Sequence, residues 1–321
     1  MPRDEAPREA KPFFWVPLGG EKLSREAPPH HNRFTGWSGR LELQIEVVSE
    51  YLYVGSGNFE LFSLSGREQA YHAFARCNGR LVIPGTSIKG AVRSIVEAIS
   101  NSCVSQVVKG EKAPRHETCK DENALCPACR LFGTTGYGGR VHFADAVPVG
   151  EVRSEIIKIA DLWPPRQAGG RKFYYAGSFQ RLDTQPQKSH RFIEAIPKGS
   201  KFATVLHFEN ASDAEMGLLM RSLGLDLSPQ DPSKVVYAFP VKLGGAKPRC
   251  LGAVYPRPKR LYLVPEGPEV FTALLTGGEP SPLTESIKAW LADCSLLDQR
   301  AWEEFREKAR RKEEPCPREV Y

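Results

Sequence analysis

The twenty residues 81–100, LVIPGTSIKGAVRSIVEAIS, constrain this chain more than any other stretch. A strand end runs into a Pro-Gly turn and then into an amphipathic helix, in which Ile88, Ala91, Val92, Ile95 and Ile99 recur at helical spacing as one apolar stripe. Thr86 or Ser87 stands where an N-cap belongs, with a hydroxyl to satisfy orphan amides. Lys89 and Arg93, four residues apart, share a face of the first two turns, where each cation opposes the helix dipole by about 0.3–1 kcal/mol. That placement makes sense if an anion docks at the helix start, because free amides and basic side chains then converge on a phosphate. A capped core helix with two solvated bases is the plainer reading of the segment alone.

Around this helix the chain divides by pattern. Residues 1–38 read as an irregular arm rich in Pro and charge, with Phe13, Phe14, Trp15 and Trp37 as aromatic anchors. Residues 40–54 hold the clearest strand, in which Leu41, Leu43, Ile45 and Val47 alternate with Glu42, Gln44 and Glu46. It ends in Gly55-Ser56-Gly57, and a polar loop is expected from there to the helix. Residues 101–130 form a polar insertion with cysteines, and residues 138–147 return as a strand. Residues 150–190 read as an exposed excursion with strand-like pieces at 156–159 and 172–175. Residues 191–196 and 201–208 are expected to form a hairpin about a Pro-Lys-Gly turn. A helix over 214–223 follows, then strands at 235–242 and 260–264, and a helical end over 285–311. Strands and helices mix without a regular βαβα repeat or a dinucleotide fingerprint, which predicts an α+β fold around an antiparallel sheet.

Composition narrows the function classes. No apolar run approaches the roughly 20 residues of a membrane span, so no membrane partner is expected. The N-terminus lacks the apolar core of a signal peptide. A cytoplasmic chain is therefore expected, with its eight cysteines as thiols or metal ligands rather than disulfides. A net charge of +6 permits a polyanionic partner without demanding one. The chain has no GxSxG, HExxH or kinase signature, and no GxxxxGK[ST] phosphate loop.

Three segments carry chemistry. In HETCKDENALCPAC, residues His116, Cys119, Cys126 and Cys129 are expected to hold one structural zinc ion, with Cys103 as the alternative fourth ligand. A small charged loop cannot build its own core, so a metal is its natural staple. A redox-active CxxC and incidental cysteines remain as other readings, and Cys77, Cys250, Cys294 and Cys316 receive no role. The loop KLGGAKPRCLG, residues 242–252, packs glycines with three basic residues, and its backbone amides are expected to approach phosphate closely. A tight hairpin explains the glycines equally well. The excursion carries Arg166, Arg171, Lys172, Phe173, Tyr174, Tyr175 and Arg181, with Arg191 just beyond. Bases interleaved with rings suit single-stranded nucleic acid, charge for its backbone and ring faces for its bases. A hairpin with one apolar and one solvated face fits the same residues.

In order, VGSG, VIPGTSIKGAVRS, CPACRLFGTTGYGGRVHFADA, FIEAIPKGSKF, AEMGLLMRSLG and LGGAKPRCLGAV resemble the RAMP superfamily of CRISPR-associated proteins, over roughly residues 40–260. The resemblance implies a ferredoxin-like, RRM-type antiparallel sheet with helices over 39–265. That core would carry a zinc-knuckle insertion at 101–130 and a thumb-like hairpin at 150–190, with a C-terminal helical extension over 266–321. It implies a guide-RNA-binding backbone subunit of a type III or related effector complex, partnered by CRISPR guide RNA, target RNA and other effector subunits. The RNA contacts it implies are Ser87, Lys89, Arg93, Gly244, Gly245 and Lys247, and the bases and rings read above add Arg171, Lys172, Tyr174, Arg191 and Arg249 as expected contacts. One departure stands out: target-cleaving relatives place an aspartate between the first strand and the PGTS turn, whereas residues 55–84 contain none. Glu60 and Glu68 are the carboxylates there, so a binding subunit without nuclease activity is expected, with an endonuclease using Glu60 as the alternative.

Overall fold

The strand Trp37–Val47 is the middle of the main sheet. The computed structural model describes residues 11–16, 23–104, 118–162, 171–265 and 267–318. The central strand pairs antiparallel with Lys201–Ala211 on one side and Ala253–Leu263 on the other. Val241–Lys242 closes one edge, and Val141–Phe143 with Val147–Pro148 closes the other. The alternation read from the sequence sets the two faces. Leu41, Leu43, Ile45 and Val47 are buried, each contributing on the order of 1.5–3 kcal/mol. Glu42 and Glu46 point the other way and pair across strands with Arg260 at 3.1 Å and Arg257 at 2.5 Å.

The helix Gly85–Ile99 buries its whole apolar stripe in the same core, as do Met216, Leu219 and Met220 of the helix Asp213–Ser222. Ser212 caps the latter by accepting from the Glu215 amide, and Glu215 returns a bond to the Ser212 amide. Glu215 also receives the fully buried Arg140 at 2.6 Å, so one carboxylate ties the helix start to the sheet. Two further helices, Leu283–Ala292 and Gln299–Lys308, add Trp290, Trp302 and Phe305 to the core. The helical end read over 285–311 is therefore two helices, broken where Asp298 caps the second by accepting from the Ala301 amide at 2.9 Å.

A second sheet orders Glu155–Ala160, His190–Pro197, Arg67–Phe74 and Gly55–Leu64, with Tyr51–Leu52 beside His190–Pro197. It corrects three expectations. The loop expected after Gly57 is an antiparallel hairpin turned at Ser65-Gly66, both with positive φ. The hairpin expected at 191–208 is a crossover instead: its strands are consecutive but belong to different sheets, and Gly199, at φ +86°, turns the chain between them. The excursion is woven in, because Ile157 and Ile159 are buried in one cluster with Ile193 and Ala195. Arg171–Tyr174 pairs with the N-terminal Phe13–Val16 as a two-stranded ribbon, and Arg166 lies outside the described residues.

Cys250 and Cys316 form a disulfide, which corrects the expectation of thiols for this pair. The C-terminal segment brings Cys316 in by lying along residues 178–180, where its amide donates to the Ser178 carbonyl at 2.9 Å. Among the described residues no helix is long and apolar enough to cross a membrane. The mixed architecture with antiparallel sheets is compatible with a ferredoxin-like core.

Candidate functional site

A groove of about 970 Å³ opens where the helix Gly85–Ile99, the glycine loop after Lys242 and the N-terminal ribbon meet. Each wall has a local cause. A Cβ at Gly85 would lie 2.0 Å from the Phe143 carbonyl oxygen, so only glycine lets the helix begin this close to the sheet edge. The helix has Pro84 at its N-cap position, and no side chain of its own caps it. The Gly85 amide donates to Asp145 Oδ1 at 2.8 Å instead. Neither Thr86 nor Ser87 is the cap, and an internal carboxylate already answers the helix dipole. The Gly85 amide is therefore not free for an external anion.

The glycine loop is shaped by contact as well. Gly244 has φ +76°, and a Cβ there would meet the Tyr53 carbonyl oxygen at 2.1 Å. The Gly245 amide donates to the same carbonyl at 2.8 Å, so it is not free for phosphate as the sequence suggested. The loop instead presents cations. Lys242 Nζ is buried and has no hydrogen-bond partner. Burial, reinforced by the neighbouring charge of Lys247, depresses the Lys242 ammonium to about 7, and burial depresses Lys247 too.

The ribbon supplies rings and charge. Lys172 Nζ stands 4.0 Å from the ring centre of Phe13, 5.4 Å from Tyr174 and 5.9 Å from Trp15. Arg171 donates to the carbonyls of Ser102 at 2.9 Å and Cys103 at 3.3 Å. Arg93 reaches Glu97 at 2.8 Å, the Gly133 carbonyl at 2.9 Å and Cys129 Sγ at 3.6 Å. Both arginines thus stand between the groove and the cysteines.

Of the residues expected to touch RNA, Ser87, Arg93, Arg171, Lys172, Tyr174, Gly244, Gly245 and Lys247 line this one groove. Three are placed elsewhere. Lys89 is half-buried beside the wall, its ammonium depressed by burial and by Arg93. Arg191 pairs with Asp161 at 2.5 Å in the second sheet. Arg249 is buried, donating to the Pro317 carbonyl at 2.8 Å and the Asp161 carbonyl at 3.0 Å. Lys242, one of the three bases of the loop, and Trp15, read as an anchor of the arm, were not among the expected RNA contacts. The signal for Lys242 was a lone lysine in the apolar run AFPVKL, just before the glycines.

Beneath the arginines, Cys103, Cys119, Cys126 and Cys129 are all buried, with their sulfurs within 4.8 Å of one another. A tetrahedral zinc with bonds of about 2.3 Å needs sulfurs roughly 3.8 Å apart. Cys103 Sγ lies 3.4 Å from Cys129 Sγ and 3.6 Å from Cys126 Sγ, so the donor set fits such an ion. The amides of Cys103 and Cys126 point at neighbouring sulfurs at 3.4 Å, as they do around thiolates. His116 lies outside the described residues, and the position it was expected to take is supplied here by Cys103.

The carboxylates are dispersed. Glu60, on the exposed hairpin, accepts from the Tyr71 hydroxyl, and that bond, with burial, pushes the phenol up to about 12. Glu68 sits on the opposite strand of the same hairpin, across from Ser63. Asp183 takes Lys158 at 2.5 Å, while Asp145 and Asp161 hold the partners named above. The groove is thus lined by basic side chains and rings, with the buried cysteine cluster beneath one wall. A family model described as the RAMP superfamily matches residues 44–253, more than half of the chain. No curated protein matches it.

Proposed function

We propose that this chain, which belongs to the RAMP superfamily, is a CRISPR-associated subunit that holds single-stranded guide RNA in the groove between the helix start and the glycine loop. The observation that carries this reading is Lys242. A desolvated ammonium without a partner is costly unless an anion completes it, and its position on the groove makes an RNA phosphate that anion. Lys247 takes the neighbouring phosphate, and the Trp15, Lys172 and Tyr174 platform gives unpaired bases a ring face. Arg93 and Arg171 set the width of the channel. Zinc on the four cysteines would supply no reaction, since four protein ligands leave no open position. It would hold Cys103 and Cys129, and through them the two arginines, at the groove wall.

With its backbone gripped, the guide can present bases to target RNA, and neighbouring effector subunits would continue the channel. The subunit binds rather than cuts: Glu60 is engaged by Tyr71 and is not among the residues that line the groove. Fluorescence anisotropy with a labelled single-stranded 20-mer, repeated from 50 to 300 mM salt, tests the proposal. Two phosphate contacts, from Lys242 and Lys247, give a log–log slope of about −1.4, at roughly −0.7 per contact. Salt-insensitive behaviour, or no retention of RNA, overturns it in favour of a metal-stapled protein-interaction module.

A further inference from the structure

The outer face of the main sheet carries a second arrangement that the groove does not use. His142, His207, Arg40 and Tyr262 are direct cross-strand neighbours on four successive strands, forming one row across the sheet. Arg40 alternates with buried Leu41, so this row faces away from the core. The Arg40 guanidinium lies 4.2 Å from the ring centre of Tyr262 and donates to the Gly277 carbonyl at 3.0 Å, which fixes it in place. Over the row is a cleft of about 350 Å³, walled on the far side by the end of the helix Glu269–Thr276 and rimmed by Phe34, whose side chain is 69% exposed.

The carboxylates near the row are engaged elsewhere. That of the cleft, Glu209, is held by His31 at 3.1 Å, and Glu42 on the central strand is held by Arg260. Three nitrogen bases therefore stand in line beside an exposed ring. We propose that this cleft is a second RNA contact, taking one unpaired nucleotide with its base on Phe34 and its phosphate on Arg40 and the two histidines. The inference rests on the chain being an RNA binder, but it concerns a site that shares no residue with the groove. The volume suits one nucleotide, since small-ligand pockets begin at about 300 Å³. An open antiparallel sheet that offers rings and bases on one face is a known physical solution for reading unstacked bases. Arg40 is the fixed cation of the cleft floor, and the histidine rings add nitrogen donors beside it.

The histidines make the test selective, since among the described residues no histidine lines the groove. The full chain is saturated with a single-stranded uridine decamer, saturation being followed by anisotropy. Carbon-bound imidazole signals are then recorded by NMR, with His142→Gln and His207→Gln providing the assignment. The expected result is that both signals move on saturation, and that Phe34→Ala suppresses the movement and weakens binding about fivefold or more. Signals that stay in place while the RNA is bound overturn the inference and leave the groove reading standing. Equal movement with inorganic phosphate alone, insensitive to Phe34→Ala, also overturns it, reducing the cleft to an anion site. Failure of the decamer to bind at all removes both readings.

Discussion

Replacing Lys242 by methionine separates a ligand-binding lysine from a structural one, because the two roles predict opposite signs. The ammonium sits at about 7 in the folded chain against an ordinary 10.5. Between those values the unfolded chain binds a proton that the folded chain does not, so this group lowers stability as pH falls from 10.5 to 7, and its cost is constant below. At about 1.4 kcal/mol per pH unit the ceiling is on the order of 5 kcal/mol. Since the residue as a whole is only partly buried, solvent screening brings a realistic figure nearer 2 kcal/mol. Methionine keeps the stem and removes the charge. Lys242→Met should raise Tm by roughly 4 °C at pH 7, at about 2 °C per kcal/mol for a chain of this size, and the gain should vanish near pH 10.5. The same variant should flatten the RNA salt slope by about 0.7. It should also abolish the tightening of RNA binding that the wild type gains between pH 8.5 and 6.5 as Lys242 takes up a proton. Differential scanning fluorimetry and salt-dependent anisotropy read both effects. A lower Tm with an unchanged salt slope refutes the reasoning and returns Lys242 to the core.

Zinc analysis by mass spectrometry should find one ion per chain, lost in Cys103→Ser and kept in His116→Ala. Chelation should lower both Tm and RNA affinity, as Arg93 and Arg171 lose their anchorage. Gly244→Ala drives a Cβ into the Tyr53 carbonyl at a left-handed φ, so it should cost about 1–3 kcal/mol and lower RNA affinity, measured by urea melts and anisotropy. Burial raises the Glu194 carboxyl, but bonds from Arg76, Ser154 and the Phe74 amide outweigh it and hold the group below its usual value. Its stability contribution is therefore present above about pH 4.5 and lost as pH falls through the lower folded value. Glu194→Gln should cost about 2 kcal/mol at pH 7 and markedly less at pH 3, read by denaturant melts at the two pH values.

Much of the site was legible because local chemistry dictates it. The stripe of the helix over 85–99, the alternation of residues 41–47 and the CPAC turn each depend on neighbours within a few positions, where sequence spacing equals spatial spacing. What was missed depends on pairing across the chain. Residues 190–197 and 201–211 look like a hairpin locally, yet competition among strands places them in different sheets. Asp145 caps a helix sixty residues upstream, and spacing gives no hint of it. Arg249 looked like a phosphate ligand until the carbonyl of Pro317 folded back onto it.

By itself, the sequence determined that this chain builds an antiparallel α+β core, gathers three cysteines on a short loop and carries its bases beside rings and glycines. Those are properties of composition and period. Only the tertiary structure decided which bases line one groove, that Cys103 completes the thiol cluster, and that the Lys242 ammonium is buried with no hydrogen-bond partner among the described residues. The reason is that a charge acquires its role from desolvation and from the groups that face it. Both are set by contacts between segments up to two hundred residues apart.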